Sequence, residues 1–182
     1  NAGATEANIT VAANILSGDR FAIAWVPPPG VTTDCTGTTI DEFVADRIIV
    51  NVFWVSFDAT ANSNSLFCQG HVFDGTTVLG SGVAQPIANG VETLQILYGE
   101  AAAALPTNDE RNISRYVNAD EVVNWDRVYA IKIAIMTRSI SDVTNSITRK
   151  QYAILDAGLY DLNDAVNYQV FTSTFTISNF MD

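Results

Sequence analysis

Histidine is nearly missing from this sequence: His71 is the single one in 182 residues. Bases are scarce as well, with nine Lys and Arg against twenty Asp and Glu and a net charge of -11. Charged residues of both signs reach only 16%, where roughly 25% is usual. Each shortage excludes something. One imidazole leaves little room for Ser–His or Cys–His chemistry, which needs a base titrating near neutrality. Nothing around His71 resembles a nucleophile elbow, and its strand-like surroundings predict a hydrogen-bonded structural histidine. One His and two distant Cys are too few for a zinc site without carboxylates. So few bases, with Arg149-Lys150 as the longest cluster, argue against a nucleic-acid partner and disfavour an anionic membrane surface.

Other absences narrow the field further. No apolar run approaches the length of about 18 residues that a membrane helix needs. The start "NAGATEANIT" has no basic stretch ahead of an apolar one, so it does not read as a signal peptide. The chain reads as soluble, and its start without Met suggests that a leader or anchor once preceded it. "GTTVLGSG" lacks both the phosphate-loop pattern and a following helix, and no cofactor is expected. "TNDERN" and "NADE" gather oxygen ligands suited to calcium, yet without the regular Asp spacing of a calcium loop they read as solvated turns. With twenty acids, chance carboxylate pairs are expected, so they are weak grounds for sugar hydrolysis.

What is present is apolar and strand-like. Apolar residues make up 48% of the chain, enough to cover a core in one domain spanning 1–182, with 1–18 as a flexible lead-in. The polar surface must then be largely Thr, Asn, Ser and Gln, a composition that suits an exported protein. The two cysteines are Cys35 in "TTDCTGTT" and Cys68 in "NSLFCQGH". An even count permits one disulfide, and the exported composition favours it over two unrelated buried thiols.

Periodicity predicts strands at 19–27, where Phe21, Ile23 and Trp25 share a face, and at 47–58 and 65–73, joined as an antiparallel hairpin. Further strands are expected at 91–99, 128–138, 151–158 and 167–180. In 128–138 the residues Tyr129, Ile131, Ile133 and Ile135 form one face, while Lys132 and Arg138 mark the other as partly wet. Asn118 followed by Glu121 predicts a capped helical turn or two near 119–124. Residues 5–16 form at best a weak helix, 80–90 a loop, and 101–112 an irregular stretch. Trp25, Trp54 and Trp125 all sit in apolar patterns and are expected in the core rather than on a glycan-binding face.

Three stretches in order say more than any one alone. "IANGVETLQILYGE", "RYVNADEVVNWDRVYAIKIAIMTRS" and "YQVFTSTFTISNF" together resemble the C-terminal half of PilW-type minor pilins of bacterial type IV pili. The residues that carry the likeness are Val91, Glu92, Leu94, Gln95, Tyr98 and Gly99, then Arg115, Tyr116, Ala119, Trp125, Val128, Arg138 and Ser139. Phe171, Thr172, Thr174 and Asn179 complete it. The segments around Cys35 and Cys68 also resemble the family's cysteine pair. The likeness is good over about 85–180 and loose over 19–75.

There are departures. "EAAAALPT" stands where the family often has an Asp-rich run, which weakens the calcium reading. Tyr168-Gln169 and Ser178 stand where it often has Arg, so pilus contacts at those positions are not carried over. The hydrophobic N-terminal helix of such pilins is not in this sequence, and the resemblance therefore implies the head domain of a longer chain.

The resemblance implies an α+β, mainly β, pilin-like head built on antiparallel sheet with little helix. It implies a structural, non-enzymatic subunit that helps initiate or cap a pilus by contacting other minor pilins and the major pilin, with a tip adhesin as a further candidate partner. Its place would be the pilus and cell surface, after an inner-membrane or periplasmic precursor stage, with membrane contact only through the helix. In that setting Tyr98, Gly99, Arg115, Tyr116, Trp125, Asp126 and Arg138 are scaffold residues. Trp125 would plug a turn against the sheet, while Asp126 and Asn118 hold backbone donors. A J-type pseudopilin of type II secretion shares this architecture, and a secreted β-sandwich adhesin or carbohydrate-binding module is the reading from another class.

Overall fold

The computed structural model describes residues 18–177 except 29, 32, 40–46, 75, 103–111, 142 and 144–146. Among the described residues, eleven β-strands and two single-turn 3-10 helices form the regular structure. The registered strand pairs are all antiparallel, so the mainly β, antiparallel expectation holds. The chain divides into two compact units, one ending at Glu92 and the other continuing from Thr93.

The first unit holds β1 (Phe21–Trp25), β2 (Ile48–Asp58), β3 (Ser63–Phe73), β4 (Val78–Ser81) and β5 (Gln85–Asn89). β2 and β3 make the long hairpin expected from 47–73, with Ile48 opposite Phe73 and Asp58 opposite Ser63. Asp58 turns the chain by accepting the Thr60 N–H at 2.8 Å. Asn62 completes the reversal at φ 50°, a left-handed position that Asn tolerates better than most residues. β1 lies on the other edge of β2, where Phe21 stacks on its register partner Phe53 at 5.0 Å.

The outer edge of β3 is shared by two short strands. β5 pairs with its first half, from Ser65 opposite Asn89 to Cys68 opposite Gln85. β4 pairs with its second half, from His71 opposite Ser81 to Phe73 opposite Val78. The loop expected at 80–90 is therefore in part strand. Its Gly and Pro read as breakers, but Pro86 lies on an outer strand where the register shifts, a position that tolerates a missing N–H.

Cys35 and Cys68 are joined, with Cα atoms 6.3 Å apart. Cys68 is fully buried on β3, so the bond ties the 34–38 turn to the hairpin. That turn is built by Asp34, whose Oδ1 accepts the Thr36 and Thr38 N–H groups at 2.8 and 3.0 Å. Gly37 supplies the left-handed φ of 80°. Asp34 lies so close over Gly70 that a Cβ there would sit 2.0 Å from its Oδ2.

The second unit holds β6 (Val91–Ala101, from Thr93 onward), β7 (Ile113–Val117), β8 (Val128–Arg138), β9 (Thr148–Ala153), β10 (Leu159–Asp164) and β11 (Tyr168–Thr176). Four of them form a sheet ordered β11-β8-β6-β7, while β9 and β10 form a hairpin. β8 has the boundaries that periodicity predicts, but its buried residues are Val128, Ala130, Ala134 and Met136. The Tyr129, Ile131, Ile133 and Ile135 face is only half-buried, with Phe171 and Phe175 of β11 opposite Ile135 and Ile131. Lys132 misleads as a marker of wetness because its ammonium lies over the Tyr116 ring at 4.1 Å.

The β9–β10 hairpin replaces the strand expected over 151–158. It reverses through Leu155 and Gly158 at φ 48° and 82°. Lys150 closes its base, donating to the Val166 and Asp164 carbonyls, and Tyr168 donates to the Asp164 carboxylate at 2.6 Å. All of the 1–18 lead-in except Gly18, the weak helix at 5–16, most of "TNDERN" and Asn179 lie outside the described residues.

Candidate functional site

β6 ends in Tyr98-Gly99-Glu100-Ala101. Alternation places Tyr98 and Glu100 on one face of the strand and Gly99 on the other. On β7, Val117 stands opposite Tyr98, Tyr116 opposite Gly99 and Arg115 opposite Glu100. The Gly99 position has a clear physical requirement. A Cβ there would come within 3.0 Å of the Tyr116 ring, 3.1 Å of Ile113 and 3.2 Å of Ala130. Glycine lets the Tyr116 ring lie across β6 and meet Lys132 of β8, a cross-strand cover over a residue that has no side chain of its own.

On the other face Glu100 is 4% exposed, and a buried carboxylate needs partners. Arg115 supplies a fork, with Nε and Nη2 donating to Oε2 at 3.0 and 2.7 Å. The other oxygen, Oε1, accepts the backbone N–H groups of Val123 at 3.1 Å and Asn124 at 2.7 Å. Arg115 then reaches on to the Glu121 carbonyl at 3.2 Å. One acid thus fixes both a cation and the next loop. The Arg115 fork holds the Glu100 carboxyl below the ordinary carboxylate value of 4.5; burial opposes this, and the two backbone donors reinforce the fork.

That loop, residues 118–127, is a knuckle of two 3-10 turns in series, Ala119–Glu121 and Trp125–Arg127. Each has an Asn cap. Asn118 Oδ1 accepts the Glu121 N–H at 3.1 Å, and Asn124 Oδ1 accepts the Asp126 N–H at 2.9 Å. Both caps have extended backbone and a side-chain oxygen turned back on the turn, the usual way to satisfy free N–H groups at such a start. The N–H groups that join the two turns are the ones Glu100 holds. The sequence's capped turn is therefore present, in the tighter 3-10 form.

The motif residues divide. Tyr98, Gly99, Arg115, Tyr116 and Trp125 come together at this end of the sheet, where Trp125 meets Tyr98 edge-on with ring centroids 4.9 Å apart. Trp125 does not plug the turn as a core residue, however; it is 53% exposed, and Val123 beside it is 81% exposed. The edge-on contact with Tyr98 leaves much of the indole open. Asp126 is exposed, and it is Asn124, not Asp126, whose side chain holds a backbone donor there. Arg138 lies at the opposite end of the eleven-residue β8, about 30 Å from Val128 by strand rise. Trp25 and Trp54 are half-buried. Sequence reasoning missed Glu100 and Asn124. The available signal was an acid in the apolar run "LQILYGEAAA", which requires a buried partner.

Sites of other chemistries were sought in each unit. His71 Nδ1 lies 2.8 Å from Ser81 Oγ across the β3–β4 pair. The pair is exposed, and among the described residues no carboxylate hydrogen-bonds to this histidine as the acid of a catalytic triad would. A recess of about 280 Å³ nearby is lined by Asp34, Thr38, Arg47, Ser81 and three glycines. Asp34 Oδ1 is already engaged by its own turn. Among the described residues no group of His, Cys, Asp and Glu is placed to hold a metal ion, and no helix is long and apolar enough to cross a membrane.

A family described as type IV pilus-assembly protein W matches residues 52–179, which includes the whole Glu100 cluster and the knuckle. The chain belongs to this family, and its role is in type IV pilus assembly at the cell envelope or surface. No curated protein and no solved structure matches the chain.

Proposed function

We propose that this member of the pilus-assembly W family is a minor pilin head that takes part in initiating or capping a type IV pilus through contacts with other minor pilins and the major pilin. The 182 residues act as one pilin-like head carried by a longer chain, whose precursor is held at the inner membrane and whose mature form sits on the pilus. The observation that carries the reading is the family match over residues 52–179. The architecture supports it. The cluster around Glu100 is a frame of hydrogen bonds that presents a surface. A disulfide-tied sheet suits a subunit exposed outside the cytoplasm.

Mixing this head with purified heads of the other pilins from the same cell tests the reading. Light scattering should show a complex of defined stoichiometry with at least one of them. Monomers in every combination would contradict it. A J-type pseudopilin of type II secretion predicts the same association with pseudopilin heads instead, so the two sets are run side by side. A glycan array separates the adhesin reading: pilus assembly predicts no sugar signal that depends on Trp25, Trp54 or Trp125.

A further inference from the structure

Sixteen large apolar side chains are exposed among the described residues, and isolated ones need no explanation. Trp125 and Val123 differ in how they are held. Val26, Val83 and Ile140 stand outside the strands. The knuckle, by contrast, is fixed at both turns by Asn caps, at its junction by Glu100, and beneath the indole by Tyr98. A rigid, half-open Trp is the kind of residue that dominates binding energy at protein interfaces. Fixing it beforehand lowers the entropy lost on docking.

The charge around the pair selects the partner. Asp120, Glu121 and Asp126 are exposed on the same ten-residue knuckle, and Arg127, the one base within it, is half-buried. With a chain charge of -11, a second copy is repelled, whereas a surface rimmed by Lys and Arg is attracted. We propose that Trp125 and Val123 form a preset docking knob that enters an apolar recess, rimmed by basic residues, on the head of a different pilin subunit. This rests on the minor-pilin reading and names the surface it would use. Glu100 is then a positioning residue that aims the knob without touching the partner.

The test measures binding of this chain to purified heads of the other pilins of the same cell by calorimetry, at about 50 and about 300 mM salt, spanning a threefold or smaller change in screening length. Trp125→Ala should weaken the complex at least tenfold while far-UV circular dichroism stays unchanged, and Trp125→Phe should fall between it and the wild type. Changing Asp120, Glu121 and Asp126 together to Asn, Gln and Asn should flatten the salt dependence. A chain carrying Trp25→Phe and Trp54→Phe leaves Trp125 as the sole indole, and its emission should shift to the blue on binding. Glu100→Gln should weaken binding and slacken the knuckle, read as a broader Trp125 anisotropy decay in the free chain. A complex whose affinity ignores Trp125 overturns the proposal and leaves the minor-pilin reading standing. Self-association that Trp125→Ala abolishes replaces the basic partner with a second copy and also overturns it. No complex with any pilin head removes the minor-pilin reading and this proposal together.

Discussion

Glu100 organises its neighbourhood because a carboxylate has two oxygens, and each is given a separate task. Oε2 takes the Arg115 fork and Oε1 takes two backbone N–H groups of the knuckle. The Arg115 hydrogen bonds lead in holding its pKa below 4.5. A lowered folded value means that the stabilisation is complete above the unfolded value of about 4.5 and is lost as pH falls through the folded one. Thermal midpoints measured downward from neutrality should therefore show wild type above Glu100→Gln at pH 7, with the two curves converging in acid; parallel curves would contradict this role. Gly99 makes a second residue-scale prediction. A methyl group there must move the Tyr116 ring, so Gly99→Ala should lower stability by about 1–3 kcal/mol in urea unfolding, and Tyr116→Ala in the same chain should recover part of that loss.

At the scale of elements, the long strands and the short edge strand β1 were legible, and the other short outer strands were not. Repeated β-branched and aromatic residues announced β2, β3, β6, β8 and β11 with ends within a few residues of those observed. β4, β5, β7 and β10 carry four to six residues each, too few for a period to stand out, and their Gly, Pro, Arg and Asp read as turn residues. Their strand character comes from the neighbour they pair with, which local sequence does not record. The same limit hid the Glu100 site, since its partners lie fifteen to twenty-four positions away. Burial of β8 was misjudged because alanines at 130 and 134 look weakly apolar yet pack closest.

Elements also set two stability predictions. The Cys35–Cys68 bond closes a separation of 33 residues, so replacing both cysteines by Ala should lower unfolding free energy by roughly 3–4 kcal/mol, as read from urea midpoints with and without reductant. Gly70→Ala drives a Cβ into the Asp34 carboxylate and should destabilise the first unit by about 1–3 kcal/mol. Asp34→Ala in the same chain should restore most of that loss if the clash is its source.

For the whole molecule, the role in pilus assembly that the family match gives is read here from the surfaces the two units present. Acidic charge keeps copies apart, a disulfide and two sheets hold shape, and a hydrogen-bonded frame sets an indole outward. The catalytic alternative rests on His71 and Ser81, and His71→Ala is expected to leave assembly unchanged. The most direct measurement of the central claim is a count of surface pili by electron microscopy on host cells that lack this gene and are complemented with the full-length chain, either wild type or Trp125→Ala. Assembly by docking predicts few pili without the gene, a full return with wild type, and a poor return with Trp125→Ala at equal protein level. Normal piliation in the cells that lack the gene would contradict the account.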